Sequence, residues 1–118
     1  MNQKDAFRNI ARNRGLFKLG SARNVVKFNA GNSTVHERAK AAVCLALTKA
    51  GHDFLTEAEF SGGRADIVDL EMGIVIEVLH SESESNLANK AKLYPLPIRF
   101  VHAGLVSFPF ELEGLMVP

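Results

Sequence analysis

The sequence predicts a single α/β domain with the element order helix, three strands, helix, strand, preceded by a basic helix. An alanine-rich stretch with helical spacing ends at Gly51, and three strand-like segments follow between residues 54 and 79. A second helical segment then precedes an apolar run at residues 98–102. The 118 residues suit one domain, and 47% hydrophobic with 23% charged residues is typical of a folded globular protein.

The N-terminal region combines helical spacing with positive charge. Residues 3–14 place Ala6, Phe7, Ile10 and Ala11 on one helical face, and Gly15 is positioned to end that helix. Residues 16–28 then predict a loop and a short extended segment at residues 25–28. We assign residues 1–33 to a basic helix and arm, and residues 34–118 to the core of the domain.

The second helix is predicted from about residue 35 to residue 50. Thr34 and Glu37 have the spacing of a capping box, which marks a helix start. Gly51 is the expected stop. The apolar positions recur at helical intervals on one face and comprise Val35, Ala39, Ala42, Val43, Ala46, Leu47 and Ala50.

Three strands follow this helix and predict an antiparallel meander. In residues 54–60 the alternation places Phe54, Thr56, Ala58 and Phe60 on one face of the first strand. Two glycines interrupt it, residues 64–69 resume the extended pattern, and a turn at residues 70–73 leads to the apolar run at 74–76.

A further helix and strand complete the predicted core. Ser83 can cap a helix that reaches about Leu93, and Tyr94 with Pro95 closes it. Residues 98–102 read as a fourth strand. The apolar tail from Leu105 onward packs either on its own sheet or on a second copy in a homodimer.

Charge is distributed unevenly along the chain. Residues 1–30 contain seven basic side chains and one acidic one, whereas residues 31–118 contain seven basic and twelve acidic ones. A basic arm is suited to a phosphate backbone, although a solvated helix explains the same charges. The candidate DNA contacts in this arm are Arg8, Arg12, Arg14, Lys18 and Arg23.

Several function classes find no support in the sequence. The lone Cys44 lies in an apolar helix pattern and reads as a buried core residue, and His36, His52 and His102 lack zinc-site spacing. No phosphate-binding glycine loop, dinucleotide fingerprint or nucleophile elbow occurs, so no small-molecule cofactor is expected. Without a signal peptide or a membrane-spanning run, we expect a cytoplasmic protein with no membrane partner.

The acidic residues of the core lie in a pattern with a known counterpart. His36-Glu37-Arg38 begins the helix, Asp66 follows Gly-Gly-Arg-Ala, and Glu77 lies within Ile-Val-Ile-Glu-Val-Leu-His. Over residues 34–102 the chain resembles the PD-(D/E)XK nuclease superfamily, archaeal Holliday-junction resolvases in particular. The resemblance implies a restriction-endonuclease-like core in which Glu37, Asp66, Glu77 and the main-chain carbonyl of Val78 surround Mg²⁺ or Mn²⁺.

The chain departs from this pattern at Leu79, where the E-x-K motif has lysine. Residue 79 faces the same way as Glu77 by strand alternation, and leucine can neither orient water nor offset phosphate charge. His80 is expected on the opposite side of the strand unless a bulge turns it. Lys90, on the predicted helix that follows, is the candidate for a relocated lysine. A metal-only reaction and an inactive site are the alternatives.

Each acidic candidate also has a structural explanation. Glu37 is explained by the capping box, and Asp66 by turn or strand-end bonding to the backbone. Glu77 in an apolar strand would need a partner or a position at the rim. Arg64 is then either a structural partner of Glu77 or a phosphate contact. Asp69, three residues after Asp66, is assigned to turn chemistry.

The sequence thus leaves two hypotheses from different classes. The first is a metal-dependent DNA endonuclease, with structure-selective cleavage like that of a junction resolvase as one form. Its catalytic residues would be Glu37, Asp66, Glu77 and Lys90. The second is a catalytically inactive nucleic-acid-binding or assembly protein on the same fold. A homodimer is compatible with both.

Overall fold

The computed structural model describes residues 23–60, 63–80 and 96–116. They form an α/β structure with one helix, α1 (Thr34–Lys49), and a mixed sheet of four strands. The strands are β1 (Phe54–Phe60), β2 (Gly63–Asp69), β3 (Ile74–Leu79) and β4 (Ile98–His102). Short 3₁₀ turns follow at Ala103–Leu105 and Leu112–Gly114. None of the described helices is long and apolar enough to cross a bilayer.

The sheet has the simple spatial order β1-β2-β3-β4. The first three strands form the predicted antiparallel meander, and β4 pairs with β3 in the parallel sense. A parallel neighbour requires a crossover of a dozen or more residues, and the connection from residue 80 to residue 97 has that length. The predicted helices at residues 3–14 and 83–93 lie outside the described residues.

Helix α1 begins one residue earlier than predicted. Ser33, not Thr34, is the N-cap, and its side chain accepts a hydrogen bond from the His36 N–H. Glu37 therefore does not complete the predicted capping box with Thr34. Its carboxylate instead bonds to the loop before the helix, through the Asn29 N–H. The helix ends at Lys49, with Gly51 at a φ of +79° just beyond it.

One side of the sheet packs against α1. Ala39, Val43 and Leu47 of the helix contact Ile67 and Ile76 of the central strands in one buried cluster. A second cluster lies on the opposite side of the sheet and contains Leu55, Ala58, Ala65, Val68, Leu70, Val75 and Ile98. The sheet is thus apolar on both faces, which fits the nearly continuous apolar runs of its central strands.

The predicted alternation of β1 holds only in its first half. Leu55 and Ala58 are three residues apart, yet they belong to the same core cluster, which strict alternation would forbid. Between them, Glu57 has a left-handed φ of +49°. Ala58 and Phe60 consequently pack on the face opposite Phe54, so the prediction that these residues share a face is wrong.

The segments before α1 and after β4 pack on the same sheet. The Asn24 N–H donates to the Phe54 carbonyl, and the Lys27 N–H donates to Thr56 Oγ1, so residues 24–27 lie along β1 without forming a strand. At the other edge, Phe100 of β4 and Met116 exchange main-chain hydrogen bonds. The tail thus packs on its own sheet, with Val106, Phe110, Leu112 and Leu115 against the α1 cluster.

Candidate functional site

The site lies where β2 and β3 separate. Their register runs from Asp69 opposite Ile74 to Ile67 opposite Ile76 and then stops, whereas β3 continues to pair with β4. At the next position, Oδ2 of Asp66 accepts a hydrogen bond from the Val78 N–H at 2.9 Å. The Asp66 carboxylate thereby replaces a main-chain acceptor of β2 for the Val78 N–H. This contact keeps the two strands apart at the gap.

Asp66 and Glu77 come together at this gap. A side-chain hydrogen bond joins them, and Glu77 is only 1% exposed. Two carboxyl groups can share a hydrogen bond only when one of them donates a proton. Burial opposes ionisation of Asp66, but hydrogen bonds from His36, Glu77 and the Val78 N–H outweigh burial and lower the pKa of Asp66 to about 2.

His36 links the first turn of α1 to this carboxyl pair. Its Nε2 lies 3.3 Å from Oδ2 of Asp66, and its Nδ1 lies 2.7 Å from Oε1 of Glu37. The Asp66 hydrogen bond raises the pKa of His36, burial opposes the rise, and Glu37 adds to it. The imidazole of His36 thus bridges two carboxylates, a contact that the sequence did not predict.

Glu37 faces away from the gap between the strands. Its carboxylate accepts hydrogen bonds from the Asn29 N–H at 2.9 Å and from Nδ2 of Asn32 at 3.0 Å, and it lies 2.7 Å from Nζ of Lys40. Burial raises its pKa, but these hydrogen bonds outweigh burial and lower the pKa to about 2. Glu37 therefore does not converge directly with Asp66 and Glu77; it reaches Asp66 through His36.

Lys40, on the same helix as Glu37, also contacts a second carboxylate, that of Glu57 on β1. Its side chain is fully buried, and Nζ lies 2.8 Å from Oε1 of Glu57 in addition to its contact with Glu37. Burial opposes the charge, but the two carboxylates raise the pKa of Lys40 above its ordinary value. The reversed facing of β1 at Glu57 is what directs this carboxylate to α1.

A polar cavity of about 290 Å³ opens beside Asp66. His80 lies at its rim, where Nδ1 is 2.9 Å from Oγ of Ser33. As alternation predicts, His80 and Leu79 point to opposite sides of the chain. The cavity lies on the side of His80. The lining residues are Gly31, Asn32, Ser33, His36, Asp66, Val78 and His80.

The position of the missing lysine is apolar. Leu79 is 3% exposed and packs with Phe100, away from the cavity. None of the three described lysines, Lys27, Lys40 and Lys49, lines the cavity. Lys90, the candidate for a relocated lysine, lies outside the described residues.

The predicted DNA contacts are only partly visible. Arg8, Arg12, Arg14 and Lys18 lie outside the described residues. Arg23 forms an ion pair with Asp53, with Nη1 3.1 Å from Oδ2. Nη1 of Arg64 is 3.6 Å from Oε2 of Glu57, so the ion-pair partner observed for Arg64 is Glu57.

Some site residues escaped the sequence analysis. The sequence analysis did not identify Lys40 or Glu57. The burial of Lys40 could have been predicted from its position between Ala39 and Ala42 on the buried face of α1. Asp69 behaves as predicted, since its carboxylate accepts hydrogen bonds from the Glu71 and Met72 N–H groups in the turn after β2.

The site as it stands offers few side-chain ligands for a cation. Within residues 23–60, 63–80 and 96–116, no group of three or more His, Cys, Asp and Glu side chains is arranged to hold a metal ion. A cation at Asp66 would thus take part of its coordination from water, as Mg²⁺ commonly does.

Comparisons with protein-family models, with curated proteins and with solved structures find no match to this chain.

Proposed function

We propose that this chain is a metal-dependent DNA endonuclease of the PD-(D/E)XK type, which hydrolyses phosphodiester bonds. The observation that supports it best is the contact between Asp66 and Glu77 at the point where β2 and β3 separate. The order of α1, an antiparallel meander and a parallel fourth strand is also compatible with a restriction-endonuclease-like core.

The carboxyl pair is chemically suited to a divalent cation. A proton shared by two carboxyl groups can be replaced by Mg²⁺ or Mn²⁺, which relieves the repulsion between two carboxylates. Asp66 and Glu77 would hold the ion, together with the main-chain carbonyl of Val78. When bound, such an ion polarises a phosphate and activates water. Glu37 would hold His36 in place instead of binding the ion.

The cavity residues would position the phosphodiester. His36 and His80 present imidazole groups beside Asp66, whereas Leu79, at the position of the usual lysine, packs away from the cavity. The ring N–H of His80 can donate a hydrogen bond to a phosphate oxygen, whereas both ring nitrogens of His36 face carboxylates. Lys90 remains a proposed further contributor, and the basic arm would bind backbone phosphates.

The proposal is tested with a supercoiled-plasmid and a four-way-junction substrate in Mg²⁺ and in Mn²⁺. Asp66→Asn and Glu77→Gln keep the shape of each side chain and remove its charge, and we expect each to reduce cleavage at least 100-fold, the order of magnitude for loss of a catalytic group. Glu113→Gln, on an exposed turn, is the control and should cleave normally. Cleavage by both site variants at the wild-type rate would disprove the proposal.

A second candidate function is supported by the packing of Leu79 against Phe100. In this alternative the chain binds nucleic acid or assists assembly without cleaving. Replacing Arg8, Arg12, Arg14 and Lys18 together by glutamine should then weaken salt-dependent DNA binding. Tight binding with no cleavage in either metal would favour this class. Sedimentation of the full chain tests the proposed homodimer under both hypotheses.

A further inference from the structure

We propose that His36 Nε2 is a nitrogen ligand of the cation bound at Asp66, and that the site therefore selects Mn²⁺ over Mg²⁺. This inference rests on the cation of the proposed function and specifies which ion it is. Imidazole is a poor ligand for Mg²⁺ and a good one for first-row transition ions. One nitrogen among oxygen ligands thus shifts the selectivity of the site.

The separation of the two donor atoms suits a shared ion. His36 Nε2 and Asp66 Oδ2 lie 3.3 Å apart, beside a cavity that both residues line. Two neighbouring ligands of an octahedral ion, each about 2.1 Å from it, lie about 3 Å from one another. A small adjustment of either side chain places one ion in contact with both atoms.

The other ring nitrogen of His36 has the partner that is typical of a metal-binding histidine. Metal-binding histidines almost always donate the second ring N–H to a carboxylate or carbonyl, which fixes the tautomer and the ring orientation. His36 Nδ1 lies 2.7 Å from Oε1 of Glu37. Glu37 is itself fixed by Asn29, Asn32 and Lys40. This orients Nε2 towards Asp66 before any ion binds.

The chain contains a second histidine–aspartate pair that serves as a control. His52 Nδ1 lies 2.9 Å from Oδ2 of Asp69, but Asp69 is committed to the turn N–H groups of Glu71 and Met72. Neither His52 nor Asp69 lines the cavity beside Asp66. The His52 pair thus has a similar contact without the setting of a metal site.

The test measures metal binding by the full chain without DNA. Mn²⁺ and Mg²⁺ affinities are determined by calorimetry for the wild type, His36→Asn and His52→Asn, with a thermal melt to check folding. We expect His36→Asn to lose about tenfold in Mn²⁺ affinity, the lower end of what ligand-shell changes cost. Its Mg²⁺ affinity should fall less, and His52→Asn should bind both ions as the wild type does.

A second measurement is spectroscopic. Pulsed electron paramagnetic resonance on Mn²⁺ bound to the wild-type chain detects a directly coordinated nitrogen by its hyperfine coupling. A nitrogen signal that is lost in His36→Asn and retained in His52→Asn supports the inference. Absence of a nitrogen signal, or an unchanged Mn²⁺ affinity in His36→Asn, would overturn it.

The inference and the proposed function fail in different ways. Mn²⁺ bound with a nitrogen ligand in a chain that cleaves no DNA would overturn the nuclease and leave the ligand assignment intact. Cleavage that requires Asp66 and Glu77, together with an Mn²⁺ affinity that is unchanged in His36→Asn, would support the nuclease and overturn the ligand assignment.

Discussion

At the residue scale, the buried charge of Lys40 is the least expected feature of α1. Its ammonium group is fully buried within the apolar face of the helix, where an isolated charge would be too costly to retain. Glu37 and Glu57 contact it from two elements and satisfy it at 2.7 and 2.8 Å. The contact with Lys40 fixes the carboxylate of Glu37, and Glu37 in turn fixes the ring of His36. The ion pairs of Lys40 therefore help to hold the site residues in place.

Replacing Lys40 by methionine should destabilise the protein severely. The variant keeps a long apolar side chain but leaves two partly buried carboxylates without their cation, and breaking a buried pair costs about 3–5 kcal/mol. Urea unfolding followed by circular dichroism measures the change. Lys49→Met, at an exposed position on the last turn of α1, should stay within about 0.5 kcal/mol of the wild type. Equal stability of the two variants would contradict this account.

The low pKa of Glu37 predicts that acid destabilises the fold. Its folded pKa of about 2 lies below the ordinary value of 4.5, so its contribution is present above about pH 4.5 and is lost as pH falls towards 2. The shift corresponds to at most about 3 kcal/mol, and the side chain is 12% exposed. Unfolding free energies measured from pH 6 to 2.5 should therefore decline.

Glu37→Gln separates this contribution from others. The variant should be less stable than the wild type at pH 6, and the difference should narrow as pH falls. Asp66 also has a lowered pKa, so some acid dependence should persist in the variant. Parallel pH curves for the two proteins would rule out the assigned role of Glu37.

At the element scale, the interrupted facing of β1 explains what the sequence could not predict. The sequence predicts alternation through residues 54–60, but it holds only until Glu57, which adopts a left-handed φ. The register of β1 with β2 is interrupted between Thr56 opposite Ile67 and Ala58 opposite Ala65, which is where Glu57 and Asp66 fall. Both of these side chains contact α1, Glu57 at Lys40 and Asp66 at His36. The reversal depends on partners far along the chain, so local periodicity contains no sign of it.

The elements themselves were largely predictable. The predicted bounds of β1 and β4 are those observed, because their apolar runs are bounded by clear turn residues. The helix was displaced by one residue, since Ser33 and Thr34 are both good caps and only the loop hydrogen bonds distinguish them. His36 is not among the predicted metal ligands because histidine spacing indicates a metal site only for zinc, and the resemblance places only carboxylates and a main-chain carbonyl around Mg²⁺.

The end of α1 depends on the backbone of Gly51. Its φ of +79° is readily adopted by glycine and disfavoured for residues with a Cβ, although an added Cβ would meet no atom within 4 Å. Gly51→Ala should thus cost about 1 kcal/mol from the backbone alone. Gly104→Ala meets an equally open surrounding without a left-handed φ, and should be neutral or slightly stabilising. Thermal unfolding of both variants shows whether the loss of stability at residue 51 comes from the backbone conformation and not from contacts of the added methyl group.

At the scale of the whole molecule, Cys44 reports on cooperative unfolding. The thiol is 1% exposed at the interface between α1 and the sheet, and burial raises its pKa to about 12. Thiolate is the reactive form, so alkylation at pH 8 should require opening of the core. The labelling rate in increasing urea should follow the unfolded fraction.

A reactive control shows that the reagent itself is not limiting. Lys49→Cys in a Cys44→Ala background places a thiol at an exposed position of the same helix and should label at once in native buffer. Rapid labelling of Cys44 in the wild-type native state would show that α1 separates from the sheet without global unfolding.

The pairing of the C-terminal tail with β4 affects whether the sheets of two copies of this molecule can join. β4 is the last strand of the described sheet, and Phe100 exchanges both of its main-chain hydrogen bonds with Met116. An uncovered strand at this border would be a template on which another polypeptide could form a ladder. Because the chain occupies that position itself, sheet growth past β4 at Phe100 requires the tail to detach first. Truncation before Met116 should therefore promote fibrous aggregation, even where the rest of the fold is retained.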